Sequence, residues 1–135
     1  MWGKALKHGE AGHMKLLRLA RKNTGKWKGK VHEAWMVKGK IGELKNFIMH
    51  YPHNSIKEFL AEVDTYTAIR AEELYSKNVQ VRWWDVILYP NMKFVRNYIL
   101  QLGYLDGTAG FVHATMMSFH SFLVRGKLWL LWKRN

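Results

Sequence analysis

Cysteine is absent from the 135 residues, which removes any disulfide framework and any thiolate metal site. A reducing cytosolic setting is therefore allowed. Acid is scarce: ten Asp and Glu stand against 22 Lys and Arg, for a formal charge of +12. Such a surface attracts polyanions, among them nucleic acid, nucleotide pyrophosphate and anionic lipid headgroups, and charge alone does not choose between them. The opening residues, MWGKALKHGE, lack the apolar stretch of a secretory signal. No window supplies the roughly 20 apolar residues of a spanning helix. Phe111 to Val124 comes nearest but contains His113 and His120 and stops at Arg125. At 1.5 Å per residue it reaches roughly 21 Å, short of a hydrocarbon core about 30 Å thick. Asp64, Asp85 and Asp106 are isolated, so there is no Asp-x-Asp, and no Gly-rich phosphate loop precedes a helix. There is no internal repeat and no low-complexity linker.

What remains is rich in apolar and aromatic residues, 48% and 14%, too high for a disordered chain and enough for one core. Seven Trp and seven Met suit a core, a membrane interface or an adaptable binding surface. Residues 1–30 are Gly- and Lys-rich, with one apolar run, Met14 to Ala20, that reads as a strand. Asn23-Thr24-Gly25 marks a turn, Val31 to Val37 a second strand, Lys38-Gly39-Lys40 a turn, and Leu44 to His50 a third strand ending before Pro52.

Ser55-Ile56-Lys57-Glu58 is a capping box, and the apolar positions from Ile56 to Leu74 recur near helical spacing up to a stop at Asn78. A second helix is expected over Asp85 to Leu102, kinked or restarted at Pro90 and capped by Gly103. A third runs from Phe111 to about Trp132 and is apolar on nearly all sides, as in a helix buried in protein or lipid. Short strands followed by three helices describe an α/β unit over 1–80 and a mainly helical extension over 81–135, with possible membrane contact.

The order of several short motifs carries more than any one of them. Lys15 to Leu19 with Gly25-Lys26-Trp27 precede Val31-His32-Glu33. Gly42-Glu43-Leu44, Ile48 to Tyr51, Tyr66-Thr67 and Ala71 follow. Further on, within the run from Trp84 to Gly110, come Pro90, Phe94, Tyr98-Ile99-Leu100 and Gly103-Tyr104-Leu105-Asp106-Gly107. Together these resemble the C-terminal part of family 2 glycosyltransferases of the lipopolysaccharide-core and cell-surface-glycan type.

The resemblance implies the closing half of a glycosyltransferase-A fold, whose whole enzyme inverts a sugar from a nucleotide-sugar donor onto an acceptor hydroxyl. It implies a divalent cation, Mg or Mn, and a glycan or lipid-linked acceptor. It matches Glu33 to the base that deprotonates the acceptor and His50 to a histidine beside the metal or diphosphate, with Arg18 facing the phosphates by charge. His32 joins Glu33 only if the chain bulges, because neighbours on a strand point to opposite faces. The donor-binding strands have no counterpart here, so the chain alone is expected to be inactive. The expected location is the cytoplasm, extending to the cytoplasmic face of the membrane, without a specific nucleic-acid partner.

Each residue also has a plainer role. Glu33 could pair with nearby lysines, His50 could pack at a strand end, and His53 could be a loop residue. His113, Met117 and His120 share a helix face at a spacing that could hold a soft metal, but a satisfied histidine on an apolar helix explains them better. Asp106-Gly107 is what a tight turn wants. Trp129 and Trp132 with Arg125, Lys127, Lys133 and Arg134 make an aromatic–basic end suited to a lipid headgroup region or to burial against a partner domain. The competing function is a non-catalytic basic module that binds nucleic acid or anionic membrane, with Trp27, Trp35, Trp83 and Trp84 as stacking or interface groups.

Overall fold

A computed structural model describes residues 5–12, 15–28, 34–44 and 55–134. A single helical turn, α1 (Gly9–Gly12), is followed by two short strands, β1 (Gly25–Lys28) and β2 (Ala34–Val37). The rest is helical: α2 (Ile56–Ser76), α3 (Trp83–Val95) continuing into a π-helical turn (Arg96–Leu100), a 3-10 turn (Gly103–Asp106) and α4 (Thr108–Arg134).

The strands form an antiparallel pair in which Trp27 sits opposite Trp35. Their rings lie 5.1 Å apart, the cross-strand aromatic contact that stabilises a short ladder. Gly25 is required at the start of β1, because a Cβ there would stand 2.3 Å from the Trp35 indole nitrogen. The segment read as a strand from Met14 is irregular over residues 15–20, and Leu16 and Leu19 are exposed. The only sheet among the described residues is the β1–β2 pair, and residues 15–20 are not part of it. β1 itself was hidden in a Lys-rich stretch that carries little apolar signal. Of the two later strands, residues 34–37 form β2 and residues 45–50 lie outside the described residues.

α2 begins as its capping box requires, with the Glu58 N–H donating to Ser55 Oγ at 3.2 Å. Phe59, Val63, Thr67 and Ala71, four residues apart, form its buried stripe. It closes before Asn78, whose φ of 55° leaves the helical region. α3 starts two residues earlier than expected, because Asp85 accepts the Arg82 N–H at 2.8 Å and caps the first turn. Pro90 neither ends nor restarts the helix. Asn91 Nδ2 donates to the Ile87 carbonyl at 2.7 Å beside the proline, and Ser118 of α4 donates to the Pro90 carbonyl at 2.8 Å.

The left-handed residue after this helix is Leu102, at φ 58°, and not Gly103. Gly103 serves close packing instead: a Cβ on it would lie 2.6 Å from the Asn97 carbonyl oxygen. α4 spans 27 residues and packs against both α3 and α2. Against α3, Phe111 meets Phe94 and Tyr98 edge-on at 5.8 and 5.6 Å. Against α2, Leu128 joins Ala71 and Val81 in a core flanked by Tyr75 and Trp132. Residues on both sides of position 80 thus share one core. Among the described residues no helix is long and apolar enough to cross a membrane.

Candidate functional site

Glu33, His32 and His50, with His53, lie outside the described residues. Arg18 is exposed on the irregular segment that leads to β1. Beside that segment the chain folds over an open hollow of about 240 Å³, lined by its neighbours Leu17 and Leu19 and by Arg21, Lys38, Gly39 and Lys40. The Lys38 N–H donates to the Thr24 carbonyl at 3.3 Å and Thr24 Oγ1 donates to the Arg21 carbonyl at 2.6 Å, which ties the segment before β1 to the one after β2, both of which line the hollow. Gly39, at φ 120° with open space around it, lets the backbone turn there. Three cations around a small hollow suit an anion of phosphate or diphosphate size. Sequence reasoning named Arg18 and missed Arg21, although both belong to the same Lys- and Arg-rich stretch.

A second constellation lies where α1 meets the helices. Asp106 is buried, and its carboxylate accepts the N–H groups of Lys7 at 3.1 Å and His8 at 2.9 Å. His8 Nδ1 stands 3.1 Å from the other oxygen. Glu10 is tied to Lys93 at 2.7 Å, while its own N–H donates to Asn97 Oδ1 at 2.9 Å. Asn97 is fully buried and also donates to the Lys93 carbonyl. The Gly9 N–H donates to the Gln101 carbonyl at 2.9 Å, and the φ of 67° at Gly9 makes this approach possible. In the sequence, Asp106 with Gly107 is turn chemistry. The turn is real, with Gly107 at φ 65°, but the carboxylate spends its oxygens on residues 98 and 99 positions away.

The electrostatics of this lock follow from its partners. Burial pushes the Asp106 carboxyl up, but the His8 and Lys7 hydrogen bonds outweigh it and hold the group below its usual range. Burial likewise raises Glu10, and the hydrogen bond and charge of Lys93, with Asn97, bring it below its ordinary value. His113, buried on α4, is pushed down chiefly by burial, against the opposing pull of Glu10. The lock has the chemistry of a structural tie: both Asp106 oxygens accept backbone N–H groups of the opening segment, and Glu10 Oε1 accepts from Lys93 Nζ. No group of three His, Cys, Asp or Glu suited to a metal occurs among the described residues.

No protein-family model matches the chain, and no solved structure matches it. The curated proteins include a distant relative that does. The lipopolysaccharide core biosynthesis glycosyltransferase LpsC of Rhizobium meliloti (strain 1021) is 24% identical over 116 residues, covering 84% of this chain and 43% of the relative. The chain thus bears a distant similarity to a glycosyltransferase and spans less than half of that relative's length.

Proposed function

We propose that this chain takes part in sugar transfer, as the C-terminal part of an inverting family 2 glycosyltransferase acting in lipopolysaccharide or other cell-surface glycan synthesis. The observation that carries the reading is the similarity to LpsC across most of the chain. In this reading Glu33 takes the proton of the acceptor hydroxyl. The acceptor oxygen forms its bond to the anomeric carbon from the face opposite the nucleotide, and the bond to the diphosphate oxygen breaks with its electrons leaving on the nucleoside diphosphate. His32 borders the base. Arg18 and the cations of the hollow, Arg21, Lys38 and Lys40, meet the phosphates, where fixed positive charge stabilises the leaving group.

His50 is the position for a divalent cation, Mg or Mn. Bound there, the cation would stabilise the negative charge on the departing diphosphate. A glycosyltransferase-A fold is the architecture this function would use, with the β-hairpin and its preceding segment on the donor-facing side. Transfer of a labelled sugar by the native protein that carries this chain tests the reading. Glu33→Gln should abolish turnover while the far-ultraviolet circular dichroism is unchanged, and full turnover would remove Glu33 from the mechanism. Arg21→Glu with Lys38→Glu should raise the donor Kd about tenfold or more through lost phosphate contacts. Trp27, exposed between Lys26 and Lys28, also suits the alternative of a basic nucleic-acid-binding module. Steeply salt-dependent RNA binding without nucleotide-sugar binding would favour that module.

A further inference from the structure

The outer side of α3 is built unlike the surface of an ordinary packed helix. Trp84, Leu88, Met92, Val95 and Ile99 recur at intervals of three and four residues, and all are exposed; Met92 reaches 60% and Leu100, next to the stripe, 72%. Trp83 and Ile87 widen it. Scattered exposed apolar residues need no explanation, but a continuous helical stripe of this length does. A groove of about 510 Å³ opens beside it, lined by Tyr89, Met92, Val95, Arg96, Leu100 and Ser121.

Charge says what covers the stripe. α2 carries Glu58, Glu62, Asp64, Glu72 and Glu73, half of the ten acidic residues of the chain. Residues 82–134 carry Arg82, Lys93, Arg96, Arg125, Lys127, Lys133 and Arg134 against only Asp85 and Asp106; Lys93 pairs with Glu10 and Lys127 with Asp64, which leaves five cations outside these pairs. Asp106 is buried in the lock and Asp85 is engaged in the cap of α3, so neither presents a free acid. Several of the cations lie on aromatic rings: Arg125 over Tyr89 at 3.8 Å, Arg82 over Trp84 at 5.1 Å and Lys133 over Trp129 at 5.6 Å. Apolar side chains flanked by Trp, Tyr and basic groups, with the acid segregated to another helix, match an anionic bilayer surface. A protein partner would have to bring its own acid to a stripe with almost no neutral polar residues.

We infer that the outer side of α3 seats on an anionic lipid bilayer, with Trp84, Leu88, Met92, Val95 and Ile99 in the headgroup–acyl boundary and Arg82 and Arg96 among the phosphates. The inference rests on exposure and charge and stands independently of sugar transfer.

The test uses the full chain with phosphatidylcholine vesicles, with and without phosphatidylglycerol, in a flotation assay. Binding is expected to the anionic vesicles, to weaken with salt, and to be accompanied by quenching of tryptophan emission by brominated acyl chains. Leu88→Glu with Met92→Glu should weaken it at least about tenfold, because two apolar anchors become charges. Lys57→Glu on α2 should leave it unchanged, and circular dichroism of each variant checks the helices. Absence of binding to anionic vesicles, or binding indifferent to the Leu88 and Met92 pair, overturns the inference. So does self-association that the same pair abolishes without any vesicle binding, which would assign the stripe to a protein contact. None of these outcomes depends on Glu33 turnover.

Discussion

Asp106 is 4% exposed, and its carboxylate accepts the backbone N–H groups of Lys7 and His8. Asp106→Ala leaves those donors buried without partners, and charge-assisted bonds of this kind cost on the order of 3 kcal/mol when lost. Urea denaturation should show a loss of that size, while Asp106→Asn, which keeps one acceptor oxygen, should lose less. Gly110 is a companion test. A Cβ there would lie 1.9 Å from the Gly103 carbonyl oxygen, so Gly110→Ala must push the first turn of α4 off the 3-10 turn. Overpacking of this kind costs about 1–3 kcal/mol, and the melting temperature should fall accordingly. Neither role was visible in the sequence. Asp-Gly after Tyr-Leu announces a turn through local φ preference, whereas the partners of Asp106 lie 98 and 99 residues away and leave no periodic trace.

At the level of elements, helices are where pattern and structure agree most closely. α2 was legible because capping and burial are both local: Ser55 caps at 3.2 Å and the stripe from Phe59 to Ala71 keeps helical spacing. Ser55→Ala should destabilise by about 1 kcal/mol. Leu128, fully buried where α4 meets α2, is the stronger probe. Leu128→Ala should cost about 2–5 kcal/mol by leaving a cavity beside Ala71 and Val81, readable as a lower denaturation midpoint. The hairpin was less legible. β1 is Gly-Lys-Trp-Lys, and its partner is chosen by a tryptophan pair across the ladder, which a single-strand pattern does not express. The run from Lys15 to Ala20 shows the converse, an apolar stretch that forms no strand and lines the hollow instead. Of the expected site, only Arg18 lies on described backbone, and the hollow near it recruits Arg21, Lys38 and Lys40 from both sides of a turn.

Across the whole molecule, the lock makes stability depend on pH in one direction. Asp106 and Glu10 have folded values below their ordinary 3.8 and 4.5, so their contribution is complete above that range and is lost as pH falls through it. His113 is depressed below 6.5 by burial, and a buried neutral imidazole opposes protonation. The unfolded chain therefore takes up protons first as pH drops below 6.5, and stability falls in the same sense. Thermal melts between pH 8 and pH 4 should show a monotonic loss toward acid, beginning near the histidine range. His113→Gln should flatten the upper part of that curve and leave the carboxylate part in place.

The Lys7–Asp106 bond closes a circuit of 99 positions along the chain. Closing so long a loop carries an entropic cost that grows with its logarithm, and contacts of this separation form slowly. The α3–α4 pair, joined by a short turn, has no such delay. Refolding should then proceed in order: the helical pair first, with its π turn and aromatic contacts, and the opening segment last. In native-state hydrogen exchange the amides of Lys7, His8 and Glu10 should be released ahead of those of α4, as a latch that opens while the frame stays closed.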